Sequence, residues 1–294
     1  MAGSTLSSRA LGRQLQKYRE RAGLTQNAVA KAVETSPQTY GRLEDGQKHN
    51  ITNLVLNAIC DKLGVSDEER RLLLTLAEEV RAARKSDGNW WRAYVDELST
   101  GFDHYMSLEQ AARRMTTLQL SLMPGLLQTP AYRRQLIWAE NPAVSPDEVE
   151  RRIELAMRRQ DRLTDPQFEV SFLISEAILR QRTGGISVMS DQVNHLLEVG
   201  NLSGVSIRVV PFGATNPIGA VCGSFVLLEF PPLPSTRLTE PPVVFVEGFT
   251  GAAYLEREDE VARYRDAIGH IRRIALDEKS SYDLIVSIAR EYAE

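Results

Sequence analysis

Residues 23–46 read GLTQNAVAKAVETSPQTYGRLEDG, and the punctuation of this stretch decides the fold of the first part of the chain. Thr25 is a capping residue for a short helix whose inner face holds Val29, Ala30 and Val33. After Glu34-Thr35, Ser36 caps a second helix with Pro37 at its first position, where proline's missing N–H costs nothing. Tyr40 and Leu43, three apart, turn toward a core, and Gly46 ends that helix. Upstream, Ser8 can cap a helix in which Leu11, Leu15, Tyr18 and Ala22 recur at helical spacing, with Gly23 as its left-handed stop. Downstream, Thr52 opens a helix with Val55, Leu56, Ile59 and Leu63 inward and Gly64 as its stop. Ser66-Asp-Glu-Glu69 is a capping box opening a fifth helix that buries Leu72, Leu73, Leu76 and Val80. Five short helices with a three-residue turn between the second and third predict a helix-turn-helix arrangement.

Gly23-Leu-Thr-Gln26, Val29-Ala30, Ser36 through Thr39 and Arg42-Leu-Glu-Asp-Gly46 together resemble the phage-repressor family of regulators (XRE, Cro/C1-type), over about residues 8–66. The resemblance implies that the third helix lies in the major groove of double-stranded DNA, with its N-terminal residues at base edges. Gln38 then pairs with adenine, and Arg42, one turn on, with guanine or a phosphate. Pro37 meets a thymine methyl, Thr39 bonds phosphate or base, and Ser36 joins them at the helix N-terminus. Gln26 resembles the family glutamine that holds the DNA backbone, and Lys48, His49 and Asn50 follow where the family also meets phosphate. Each residue also has a structural reading. Gln38 is exposed on any helix surface, Arg42 can pair with Asp45 or Glu34, Tyr40 is a core anchor, and Glu44 braces the fold. Two positions depart from the pattern. Glu34 occupies the turn position usually held by glycine, at a cost on the order of 1 kcal/mol in the left-handed region. Gly41 weakens the recognition helix by up to about 1 kcal/mol relative to alanine and removes one side chain that could read a base.

Charge is divided unevenly. Residues 1–85 carry 14 Lys/Arg against 10 Asp/Glu, whereas the whole chain has a formal charge of −4, so the remainder is acidic. A basic head on an acidic body is expected if only the head meets phosphate. No apolar run approaches the roughly 18 residues that span a bilayer, and the opening Met1-Ala-Gly-Ser-Thr has no apolar signal region. Cys60 and Cys222 lack a metal-like spacing and read as reduced core thiols, which fits a cytoplasmic, nucleoid-associated protein. The four histidines, His49, His104, His195 and His270, lack metal-ligand spacing, and no Walker loop, G-x-S-x-G or dinucleotide fingerprint occurs. The expectation is a non-enzymatic protein without catalytic residues, metal or cofactor.

Lys85-Ser-Asp-Gly-Asn89 is a polar break, which puts domain boundaries at 1–85 and 90–294. Trp90, Trp91, Tyr94, Val95 and Leu98 follow at helical spacing, then Phe102 and Tyr105, a stripe read mainly as core packing. Helices are expected from about Ala131 to Glu140, from a Ser145–Glu148 capping box to about Leu163, around Val193-Leu196-Leu197, and over Arg257–Leu276 and Ser281–Tyr292. Residues 168–174 alternate as a strand with one buried face. Ile207–Pro211, Ser224–Phe230 and Val243–Glu247 are further strands. The last two are apolar on both faces and so central. The loops Phe212–Val221 and Pro231–Pro242 flank these strands, where a cleft or docking edge is expected. The fold class is α+β: an all-α helix-turn-helix domain, then a larger α+β domain with a central sheet flanked by helices.

Pro124-Gly-Leu-Leu-Gln-Thr129 with Tyr132, Arg159-Gln160, Glu176–Leu179, Gly184-Gly185, Arg208–Phe212, Gly223–Phe225, Val243–Glu247 and Tyr254–Glu256 resemble the C-terminal domain of the actinobacterial WhiJ-like, antitoxin-like regulators. That resemblance implies a transcriptional regulator often encoded beside a small partner protein. The expectation is a homodimer on an inverted-repeat operator whose body responds to such a protein or to a small-molecule effector, with no membrane partner. Two alternatives are an antitoxin-like protein that sequesters its neighbour's product and autoregulates, and an enzyme targeted to DNA by its head.

Overall fold

The structure, a computed structural model, describes residues 6–47, 51–85 and 102–294. The chain divides into two compact units. The first holds five helices, α1 (Leu6–Arg21), α2 (Gln26–Ala32), α3 (Pro37–Glu44), α4 (Asn53–Leu63) and α5 (Asp67–Lys85), together with α6 (Phe102–Ala111) and the segment Phe230–Glu240. The second holds the rest of the described chain, including every strand.

The caps explain where the first helices begin. The side chains of Thr25, Ser36 and Thr52 accept hydrogen bonds from the amides of Ala28, Thr39 and Val55, each three residues on. Gly23, Gly46 and Gly64 take positive φ at the stops. Ser66 and Glu69 form the capping box reciprocally: the Ser66 amide donates to the Glu69 carboxylate at 2.9 Å, and the Glu69 amide to Ser66 Oγ at 3.2 Å. Leu11, Leu15, Val29, Tyr40, Leu56, Ile59, Leu73 and Leu76 make one buried core. Two sequence expectations fail here. Ser8 lies inside α1 and is buried, because α1 extends a turn further and packs its start against Gly46. Val55 faces outward beside Leu54, which is 81% exposed, since the inward stripe of α4 runs through Leu56, Ile59, Cys60 and Leu63.

The second unit is built on a mixed six-stranded sheet in the order β3-β2-β1-β4-β5-β6. Its strands are β1 (Arg114–Gln119), β2 (Glu169–Ser175), β3 (Val205–Val210), β4 (Phe225–Glu229), β5 (Val243–Gly248) and β6 (Gly251–Leu255). β1, β2 and β3 are parallel neighbours, and β4, β5 and β6 continue the sheet antiparallel from β1. Helices α7 (Pro130–Glu140), α8 (Pro146–Gln160), α9 (Glu176–Arg180), α10 (Ile186–Val199), α11 (Ile218–Cys222), α12 (Glu258–Ile274) and α13 (Glu278–Ala293) complete it, giving the α+β class expected. Val261, Ile268 and Ile271 of α12 pack with Leu118, Leu173, Phe225, Leu227 and Val244 of the sheet. The expected strands 168–174, 207–211, 224–230 and 243–247 are present to within about two residues, while β1 and β6 were not anticipated. α13 begins three residues before Ser281, at Glu278, with Asp277 as its cap. Ser281 is fully buried instead, and its Oγ accepts the amide of Val209 on β3 at 2.9 Å.

The stretch Met123–Thr129 holds a single 3-10 turn, Gly125–Leu127, and side chains satisfy much of the rest of its backbone. Gln192 donates to Leu127 O at 2.6 Å and accepts from the Thr129 amide, Gln128 donates to Met123 O, and Gln160 donates to Gln128 O. The Tyr132 hydroxyl accepts from the Met123 amide. No helix among the described residues is long and apolar enough to cross a membrane. The aromatic stripe Trp90–Leu98 lies outside the described residues, whereas Tyr105 is buried on α6 and stacks with Phe102 at 5.2 Å.

Candidate DNA-binding surface

The α2–α3 turn passes through Glu34 at φ 53°, the left-handed conformation expected from its place in the sequence. α3 then presents two faces. Tyr40, Gly41, Leu43 and Glu44 are buried, and Pro37, Gln38 and Arg42 are exposed. Ser36 is exposed at the N-terminus, where its hydroxyl donates to Thr39 Oγ1 at 2.8 Å and its oxygen accepts the Thr39 amide. Neither the Gln38 amide nor the Arg42 guanidinium has a hydrogen-bond or ion-pair partner among the described residues, so the Arg42 pairing with Asp45 or Glu34 weighed above is not formed. The two side chains lie four residues apart, one turn, on the same face.

What holds this face in position is a buried carboxylate. Glu44, at the end of α3, receives a two-pronged hydrogen bond from Arg19 of α1, at 2.6 and 2.9 Å. It also accepts from Gln26 Nε2 of α2 at 2.8 Å. One carboxylate thus fixes three helices, and its hydrogen bond is the main reason the Arg19 guanidinium is held above its ordinary pKa. Burial and the adjacent Glu44 charge push the Tyr40 hydroxyl up as well. Gln26 is therefore half-buried, its amide nitrogen committed to Glu44.

Gly41 requires a correction. A Cβ there would lie 3.1 Å from Gln26 Oε1, so the position faces α2 and not the exposed face that carries Gln38 and Arg42. The glycine makes room for Gln26 and removes no base reader. The sequence gives no sign of this role for Arg19, because its carboxylate partner lies 25 residues away. Lys48, His49 and Asn50 lie outside the described residues. No group of three or more His, Cys, Asp or Glu is arranged to hold a metal among the described residues.

Residues 10–73 match a family of helix-turn-helix domains, so the chain carries a helix-turn-helix domain, the element of DNA-binding regulators. Residues 102–287 match the family described as a domain of unknown function, DUF5753. No curated protein and no solved structure matches the chain. The second match spans well over half of the chain, which thus belongs to the DUF5753 family, with a helix-turn-helix domain ahead of the region that defines it.

Proposed function

We propose that the protein is a sequence-specific transcriptional regulator that reads its operator through α3. Gln38 and Arg42 carry the base contacts, with Pro37 against a thymine methyl. Ser36 and Thr39 meet the backbone, as do Gln26, through the amide hydrogen not donated to Glu44, and Lys48 and Asn50 from the segment after α3. The observation that carries this reading is the exposed, unpartnered Gln38–Arg42 pair on a helix braced from behind by Glu44. An uncommitted bidentate amide and guanidinium one turn apart suit adenine and guanine edges. A single head of this size buries too little surface for tight specific binding, so the protein acts as a homodimer on an inverted repeat. The C-terminal domain responds to a small protein or ligand, in keeping with the resemblance to WhiJ-like regulators encoded beside a partner.

The test uses sites recovered by in vitro selection with the full chain. Gln38→Ala and Arg42→Ala should each weaken the selected site by about 1–3 kcal/mol while non-specific binding persists. Undiminished affinity in the double variant, with an unchanged circular dichroism spectrum, would overturn the assignment.

A further inference from the structure

One face of the sheet carries a groove that α12 leaves uncovered. Its floor is the first half of β1, β2 and β3. Thr116 pairs in register with Ser171, and Ser171 with Ser206, so three hydroxyls form one row across three strands. Neighbouring strands lie about 5 Å apart, so the row spans roughly 10 Å. Two residues toward the strand starts, Arg114 and Glu169 form an ion pair at 2.8 Å. Two residues the other way, Leu118 and Leu173 are already under α12, and Arg208 stands beside them. The Arg208 guanidinium is committed to closing α12: it donates to the carbonyl oxygens of Leu276, Arg272 and Ala275 at 2.8, 2.9 and 3.1 Å.

The groove has a volume of about 500 Å³, and Arg272 and Glu278 complete its wall. That size falls within the ~300–1,000 Å³ of small-ligand clefts. The hydroxyls of Thr116, Ser171 and Ser206 make no hydrogen bond with any described residue. The Arg272 guanidinium and the Glu278 carboxylate likewise have no ion-pair partner among the described residues, including each other. Everything else that is charged in the groove is already engaged. What remains is a neutral floor that both donates and accepts, and one uncommitted charge of each sign.

We propose that this groove binds a short peptide with free termini, its carboxylate at Arg272, its ammonium at Glu278 and its amides along the hydroxyl row. An anion alone would leave Glu278 opposing it, and a cation alone would meet Arg272, whereas a zwitterion answers both. The proposal rests on the reading of the C-terminal domain as responsive to an effector, and names the place and the chemistry.

Triserine with free termini, titrated calorimetrically into the full chain at physiological salt, should bind with a Kd below about 1 mM. Its N-acetylated and C-amidated forms should each bind about fivefold more weakly, the effect of losing a partly exposed ion pair. Arg272→Gln should erase the difference made by amidation, and Glu278→Gln the difference made by acetylation. Ser171→Ala should weaken all forms alike. Equal binding of free and blocked forms, or no binding of the free form up to about 10 mM, overturns the proposal. Charge-selective binding without any change in operator affinity supports the site and sinks the effector reading. An operator response to the peptide that survives both charge substitutions overturns the site and keeps that reading.

Discussion

A Cβ at Gly12 would lie 2.1 Å from the carbonyl oxygen of Glu44 and 2.8 Å from that of Leu43. Both are backbone atoms at the end of α3, so no side chain can swing aside and α1 must move away. Gly12→Ala gains about 1 kcal/mol of helix propensity, but overpacking against a rigid backbone costs typically 1–3 kcal/mol and in tight sites more. The expected net effect is a loss of about 1–2 kcal/mol in the amide-exchange protection of α1 and α3, with weaker operator binding because Arg19 and Glu44 are forced apart. Unchanged exchange in both helices would show that the approach is looser than described. Single residues were legible where their role is local. Thr25, Ser36 and Thr52 cap the amide three residues on, and Glu34 takes positive φ because the turn demands it. Gly12 and Arg19 were not legible, since a glycine inside α1 and an arginine on its flank acquire their roles only when α3 arrives.

At the scale of the element, α5 depends on the carboxylate that opens it. Arg21 donates to Glu69 at 2.8 Å, and the Ser66 amide donates to the same side chain. These bonds, the Arg21 one foremost, hold the Glu69 carboxyl down at about 2, against an ordinary value of 4.5. A lowered carboxyl stabilises the folded state above the unfolded value and loses that contribution as pH falls through the folded one. The start of α5 should therefore lose exchange protection between about pH 4.5 and 2, and Glu69→Gln should flatten that part of the profile. A variant with the wild-type acid profile would remove Glu69 from the account. Among the strands, those with concentrated apolar residues were readable, and β1 and β6 were not. In β1, Met115 and Leu118 point to opposite faces and Thr116-Thr117 separate them, so no alternation appears in the sequence. β1 nevertheless lies between β2 and β4, and its fully buried Thr117 is satisfied by donating to Phe225 O at 3.0 Å. β6 is an edge strand opening Gly-Ala-Ala, which carries almost no hydrophobic signal.

At the scale of the whole molecule, the N-terminal unit is not a contiguous piece of sequence. The segment Phe230–Glu240 joins β4 to β5, in the loop where the sequence leads one to expect a cleft or docking edge. Its Leu233 is buried in the same core as Leu11, Leu15, Leu73 and Leu76, with Leu238 packed against it. The segment folds back on itself, with the Leu233 amide donating to Leu238 O at 2.8 Å and Arg237 at φ 59°. Glu79 of α5 accepts the amides of Ser235 and Thr236 at 2.6 and 3.0 Å, and the buried Glu240 is met by Arg13 and Arg9 of α1 at 3.0 and 3.4 Å. One apolar anchor and two carboxylates thus tie this segment to α1 and α5. None of this could be read from residues 1–85, because the partners lie well over a hundred residues further on. Leu233→Ala removes a side chain that is 4% exposed, and truncating a buried leucine costs about 2–5 kcal/mol. The expected result in the full chain is a loss of exchange protection in α1 and α5, although the substitution lies far beyond them in sequence, while β1, β2 and β3 keep theirs. Melting of residues 230–240 alone, with α1 and α5 unaffected, would mean that the segment rests on the helix-turn-helix core without supporting it.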